Sequence, residues 1–365
     1  MTSAPSSFSP KASLRRSPNS SAASTLVRRP PASSGLPPPV GARAARFAAS
    51  RSAVDEPGRR AILLLVNPVA GGKVGSGPLL SADPERLEPA ALAAALRARG
   101  LEVESRELGP DDDVGELARE GAERGLDIVV AGGDGTVGLA AAALVDQAAT
   151  LGILALGSFN NVAHGIGIPL TLGPALEAIS RGRVRQVDVG EARGGAADAT
   201  DAAVEYFLEA AGVGLDAAGF GVVELQERHG LRRALGALWR VLRGRKRRMR
   251  LVIDGQRRRT RAPAITVCNG PYHGFGFALA PAADPADGQL DVAIFFRMSR
   301  FEVLRHFLRV ARRRPFREPR LRLIACRQLS VDAVQGVLPV HADGRSIGTT
   351  PVTFRVRAGA LRVFV

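Results

Sequence analysis

Apolar and polar positions follow two different rhythms along this chain. In the first part, Ala61–Val66 (AILLLV), Ile128–Val130 and Leu151–Leu156 (LGILAL) are short continuous apolar runs that read as buried strands. Leu101–Leu108 alternates enough to be a further strand. Between these lie helical segments. Leu87–Arg99 places Leu92, Ala95, Leu96 and Ala98 on its apolar positions and ends at Gly100, Val114–Arg124 ends at Gly125, and Leu139–Val145 is a run rich in Ala and Leu. A βαβαβα series of this kind predicts an open parallel sheet with right-handed crossovers. From Val187 the rhythm changes to short strands: Glu205–Ala210, Met249–Ile253, Ala264–Cys268, Leu290–Phe295, Leu321–Ile324, Leu329–Val331, Thr353–Val356 and Leu361–Val365. Asp254-Gly255 is a hairpin turn signal, and many short strands predict an antiparallel β-sandwich. The fold class is therefore α/β + β. A parallel α/β domain spans 59–187 and an antiparallel sandwich spans 188–365, the last strand being free to pack back towards the first domain.

Chemistry concentrates where the first-domain strands end. Asn67-Pro68-Val69-Ala70-Gly71-Gly72-Lys73 follows the first run, Gly132-Gly133-Asp134-Gly135-Thr136 the second, and Gly157-Ser158-Phe159-Asn160-Asn161-Val162-Ala163 the third. Glycines let backbone approach a phosphate, and a helix N-terminus offers unpaired N–H groups and a favourable dipole. Ligands of open α/β sheets bind at the carboxyl ends of the strands. One such turn is weak evidence, whereas three in one sheet can converge on one anionic ligand. Neither GxxxxGK[ST] nor GxGxxG occurs. Gly212–Ala217 mimics a dinucleotide fingerprint, but no acidic residue ends a strand about 20 residues later, so it reads as a plain turn. Asp284 and Asp287, in PAADPADGQL, are paired carboxylates suited to a hard cation such as Mg²⁺; taken alone, an Asp-rich β-turn is the simpler reading.

Charge changes the picture less than its total suggests. Of the net +15, the first 54 residues supply +8, with eight Lys/Arg and no Asp or Glu. That segment, rich in Ser, Ala, Pro and Arg, buries too little to fold. Residues 1–58 read as a disordered basic tail, with an organellar transit peptide as the alternative. No apolar run reaches membrane-span length, and Cys268 and Cys326 lack CxxC partners, which fits free buried thiols in a reducing compartment. Leu231–Arg248 reads as an amphipathic helix with arginines opposite its apolar face, a surface helix docked on the sandwich; its basic tip, with Arg312–Arg314, is also a candidate contact with anionic lipid. One Trp and two Tyr leave little for base stacking, which argues against nucleic acid.

NPVAGG, GGDGT and LGSFNNVAHGIGIP, in this order and spacing, resemble the diacylglycerol kinase catalytic-domain family, in its bacterial lipid-kinase form related to sphingosine kinases. The resemblance implies that Asn67, Pro68, Val69, Ala70, Gly71, Gly132, Gly133, Asp134, Gly135, Thr136, Val137, Gly138, Ser158 and Asn160 line an ATP site. It also implies a metal-ordering loop at Asp284, Asp287 and Gln289, with magnesium as the ion. The family motif DGE, whose Glu is the usual general base, stands here as Asp343-Gly344-Arg345. A guanidinium cannot accept a proton, so Asp343 becomes the expected catalytic residue. The implied activity is ATP-dependent phosphorylation of diacylglycerol or a similar lipid, with a sphingoid base as a variant. The alternatives are an impaired nucleotide- and lipid-binding protein, because of Arg345, and an NAD kinase-like enzyme. The expected setting is cytoplasmic and peripheral to the membrane, or an organelle if the tail is a transit peptide; a homodimer is left open.

Overall fold

A computed structural model describes residues 60–70, 88–195, 203–219, 248–311 and 320–365. The basic tail, Gly71 to Lys73, the amphipathic segment up to Arg247 and Arg312–Arg314 lie outside these residues. Parallel strands β1 (Ala61–Val66), β2 (Glu102–Glu107), β3 (Asp127–Gly132) and β4 (Leu151–Ala155) lie side by side in the order β2-β1-β3-β4. Helices α1 (Pro89–Arg97), α2 (Val114–Glu123), α3 (Asp134–Ala143), α4 (Asn161–Ile166) and α5 (Leu172–Arg181) connect or follow them. The unbroken apolar run of β1 has a physical cause. Leu63 and Leu65 face a core built with α2 and α3, while Ile62, Leu64 and Val66 face a second core built with α1 and α5. A strand covered on both faces has no position to spare for polar residues.

Helix boundaries differ from the sequence expectation in the site-bearing turns. α3 starts at Asp134, with Gly133 as its extended N-cap, five residues before the expected Leu139. Asp134, Gly135 and Thr136 are therefore the first turn of a helix rather than a loop. The turn after β4 likewise folds into α4, and α5 completes a connection for which no helix was expected. α4 starts because Asn160 adopts a left-handed conformation, φ 51°.

The second part is a sandwich whose two sheets differ in origin. One is a separate antiparallel sheet in the order β14-β13-β10-β7-β16-β17, comprising β7 (Ala210–Gly214), β10 (Ala264–Cys268), β13 (Leu290–Phe295), β14 (Leu321–Cys326), β16 (Pro339–Ala342) and β17 (Arg345–Thr349). The other continues the parallel sheet. β18 (Val352–Phe364) touches β4 at Val363 and carries β15 (Gln328–Ala333), β8 (Met249–Ile253) and β9 (Gln256–Thr260) on its early residues. β5 (Val184–Gly194), with β6 (Val204–Phe207) beyond it, pairs with β18 from Val352 to Phe364. The expected boundary at 187/188 thus falls within β5. Inner-face residues from both sheets, among them Val213, Ile265, Val292, Val340, Leu251, Leu329, Val331 and Phe354, fill the core between them. A two-stranded hairpin, β11 (Tyr272–His273) and β12 (Phe277–Ala278), and helix α6 (Arg300–Ala311) complete the described elements.

Two details correct the strand expectations, and a third bears one out. Thr353–Val356 and Leu361–Val365 are one strand with a register break between Arg357 and Leu361. There Gly359 takes φ 62° and its N–H donates to Asp188 Oδ1 at 2.8 Å. Conversely, the single expected strand Glu205–Ala210 is cut at Leu208-Glu209, which separates β6 from β7. The Asp254-Gly255 turn has φ of 45° and 80°, the double left-handed geometry that a two-residue hairpin demands.

Candidate active site

The three turns of the parallel sheet meet. Asn67 N–H donates to Ala131 O at 2.9 Å, and its side-chain amide donates to Thr136 Oγ1 at 2.9 Å, joining the first turn to the second. Asn67 Oδ1 also accepts from Val69 N–H at 3.1 Å, fixing the turn itself. The second and third turns touch backbone to backbone: a Cβ on Gly157 would lie 2.5 Å from Gly133 Cα. Glycine at 157 permits that approach, and a Cβ on Gly133 would sit tightly, 3.2 Å from Gly157 Cα. Asn160 Oδ1 accepts from Gly157 N–H and Asn160 Nδ2 donates to Gly157 O, both at 2.8 Å. Asp134 Oδ1 accepts from Val162 N–H at 3.1 Å, so a carboxylate from α3 caps α4. The result is a rim of small residues and helix N-terminal N–H groups, which suits phosphate.

Across from this rim stands a wall of carboxylates from the sandwich. Asp343 has φ 44°, and its side chain accepts from Leu208, Glu209 and Ala210 N–H at 2.7, 3.0 and 3.1 Å. Those three bonds replace the strand ladder and explain the break between β6 and β7. A Cβ on Gly138 would sit 3.8 Å from Asp343 Oδ2, so α3 and the Asp343 turn face each other across a narrow gap. Glu209, in that break, is half-buried. Its Oε2 accepts from Asn161 Nδ2 at 3.0 Å and from Gly274 N–H at 3.2 Å. Its carbonyl accepts from Asn269 N–H at 2.9 Å. Asn161 Nδ2 also donates to Gly274 O at 2.6 Å, tying α4 to the segment before β12. Burial lifts the carboxyl of Glu209 well above the usual range, and the charges of Asp134 and Asp343 add to the lift. Burial likewise raises Asp134 and Asp343, against the N–H groups that each accepts. Three carboxyls held together resist full ionisation, a common mark of a reaction centre.

A second cluster braces this wall from behind. Asp216 Oδ2 accepts from Thr266 Oγ1 at 2.6 Å, and its two oxygens lie 3.3 Å from His273 Nε2 and His341 Nε2. All three of these Asp and His residues are buried. Burial opposes the charge of Asp216, yet His273 and His341 outweigh it and hold the carboxyl well below the usual range. His341 Nδ1 accepts from Gly344 N–H at 3.3 Å, so the brace reaches the Asp343 turn. The fingerprint-like segment is therefore structural: Gly212 leaves the space into which Asp216 and His341 reach.

The structure disperses the remaining sequence candidates in three ways. Pro68 and Val69 are exposed beside the rim, Ala70 and Ser158 are partly exposed, and Gly71 lies outside the described residues. Val137 turns its side chain into the core beneath α3, leaving only its backbone towards the rim. Asp284, Asp287 and Gln289 form a separate loop against β5. There Gly288 N–H donates to Asp188 Oδ2 at 2.6 Å, Arg185 pairs with Asp284 at 3.1 Å, and Gln289 N–H donates to Asp287 Oδ1 at 2.9 Å. Burial raises Asp188, and the charges of Asp287 and Asp284 add to it. The donors here are oxygens only, which fits a hard cation. Among the described residues, the trio with ligand atoms within 4.8 Å of one another is instead Asp216, His273 and His341. A cation at the loop would thus rely on main-chain oxygens as well. Arg345 is exposed, 3.6 Å from Glu205 Oε2. Sequence reasoning missed Glu209; the signal was an acid inside an otherwise apolar stretch, YFLEAAGVG.

Residues 61–192 match the diacylglycerol kinase catalytic domain, and residues 210–365 match the YegS C-terminal NAD kinase beta sandwich-like domain. A probable lipid kinase YegS-like protein of Pseudomonas aeruginosa is 31% identical over 299 residues, covering 76% of this chain and 89% of the relative. The probable lipid kinase YegS of Escherichia fergusonii is 28% identical over 228 residues, covering 59% and 71%. The crystal structure of a putative diacylglycerol kinase from Bacillus anthracis superposes with a TM-score of 0.63 at 22% identity, covering 84% of this chain and 97% of that one; it bears on the fold alone.

Proposed function

Because this chain belongs to the diacylglycerol kinase catalytic-domain family, with a YegS-type sandwich, we propose that it transfers the γ-phosphate of MgATP to the hydroxyl of diacylglycerol or a closely similar lipid. The observation that carries this reading is the meeting of three phosphate-type turns opposite a wall of carboxylates. The rim formed by Asn67, Gly133–Thr136 and Gly157 holds the triphosphate through backbone N–H groups and the N-terminus of α3. The wall receives the acceptor hydroxyl. Phosphoryl transfer depends mostly on such positioning and on charge stabilisation. Asp343 fixes the β6–β7 break and sets the geometry of that wall. Magnesium at the Asp284, Asp287 and Gln289 loop would supply positive charge that orders this acidic loop against β5.

The impaired-enzyme alternative turns on Arg345, which is exposed and lies 3.6 Å from Glu205 Oε2. Among the described residues no helix is long and apolar enough to cross a membrane, which is compatible with access to lipid from the surface. The test is radiolabelled-phosphate transfer from ATP into a total lipid extract, with purified diacylglycerol, sphingosine and NAD offered in parallel. We expect label in the diacylglycerol arm and its loss with Asp134→Ala. Label in the NAD arm alone, or ATP binding without transfer to any acceptor, overturns the proposal.

A further inference from the structure

Loss of the expected base at position 345 leaves a question of where the hydroxyl proton goes. Asp343 is poorly placed to take it, because its carboxylate already accepts three backbone N–H bonds, and such bonds favour the ionised form. Asp134 is committed to the N-terminus of α4, where the N–H groups of Val162, Asn161 and Asn160 all favour its ionised form. Glu209 differs from both. Both bonds to its side chain fall on Oε2, and among the described residues Oε1 takes no hydrogen bond. Its backbone is fixed on both sides, by Asp343 on its N–H and by Asn269 on its carbonyl. It faces Asp134 on α3 and Asp343 on the β16–β17 turn, with the neutral Asn161 of α4 and Gly274 completing its surroundings.

We propose that Glu209 is the general base of this kinase, a carboxylate supplied from the β6–β7 break in place of the one absent from position 345. This rests on the lipid-kinase reading. The lipid hydroxyl oxygen forms a bond to the γ-phosphorus, and the bond from that phosphorus to the β,γ-bridging oxygen breaks. The bonding pair leaves with ADP, and the hydroxyl proton passes to Glu209 Oε1 and then to water. Asn161 and Gly274 hold Oε2 so that Oε1 is presented to the acceptor. The neighbouring carboxyls raise the basicity of Glu209, as burial does, which brings it nearer to the range of an effective base.

The test compares wild type, Glu209→Gln, Glu209→Asp and Arg345→Ala with MgATP and diacylglycerol in mixed micelles, alongside ATP affinity and melting temperature. Glu209→Gln is expected to lower kcat by ~10²–10⁴-fold, the usual range for removing a general base, with ATP affinity unchanged. Glu209→Asp should recover part of the rate. The wild-type rate should rise with pH through an apparent pKa above the usual carboxylate range, and that limb should vanish in Glu209→Gln. Removing a charge from three crowded carboxyls should also raise the melting temperature at neutral pH, whereas a merely structural Glu209 predicts a fall. Arg345→Ala should keep a near wild-type rate. Active wild type with an equally active Glu209→Gln overturns the assignment of the base alone. Wild type that phosphorylates no lipid overturns the functional reading, and the base with it.

Discussion

Gly157→Ala tests the meeting of turns on which the site depends. The added methyl would lie 2.5 Å from Gly133 Cα and 2.8 Å from Asn160 Oδ1, about 1 Å short of ordinary contact with the nearer atom. Neither neighbour yields easily, since one is backbone and the other is bonded to both polar groups of Gly157. Overpacking of this kind costs about 1–3 kcal/mol, and loss of one Asn160 bond adds about 1 kcal/mol. We expect a lower melting temperature and at least about tenfold weaker ATP binding, the equivalent of roughly 1.4 kcal/mol. Gly135→Ala is the matched control: nothing lies within 4 Å of its added methyl, and it sits in the first turn of α3. It should gain roughly 0.5–1 kcal/mol of stability from reduced chain entropy, yet bind ATP more weakly if phosphates lie on that turn. Calorimetric titration with MgATP and thermal denaturation measure both. A Gly157→Ala protein that melts and binds like wild type would refute the reasoning, and a Gly135→Ala protein with full affinity would remove the phosphates from α3.

Three more outcomes follow from the same geometry. Asn67→Ala removes the amide bonds to Thr136 and Val69, each worth about 0.5–1.5 kcal/mol, and should raise the KM for ATP while leaving the fold intact by circular dichroism. Asp216→Asn breaks the buried brace and should cost about 1–3 kcal/mol at pH 7 in denaturant unfolding. Because the folded carboxyl is held below its unfolded value, that stabilisation is full above about pH 4 and declines as pH falls further, so wild type and variant should converge in acid. Burial pushes the Cys326 thiol up to about 12 and Cys268 higher still; alkylation at pH 8, read by mass spectrometry, should spare both in native protein and label both in guanidinium.

Periodicity made the parallel sheet legible because β1, β3 and β4 are covered on both faces and leave no polar positions to confuse the pattern. The turns were legible as glycine and amide clusters, although not as helix starts, since the extended Gly133 and left-handed Asn160 do not announce themselves in an apolar count. What stayed hidden depends on distant partners. Leu208-Glu209 leaves the ladder only because Asp343, more than 130 residues away, takes its N–H groups. The two expected terminal strands join only because Asp188 satisfies the backbone at Gly359. Glu209 escaped notice for the same reason: its neighbours Asn161 and Gly274 come from elements far along the chain.

β18 has a mechanical consequence. Its early residues bond to β15 of the sandwich, Val363 reaches β4, and β5 flanks it nearly end to end. Halves stitched by a common thirteen-residue strand share one continuous ladder, which resists a hinge between them. Near Asn161, the exposed rings of Phe159 and Phe275 meet edge to face at 5.6 Å. On the proposed lipid-kinase reading, these two rings offer an apolar surface beside Asn161.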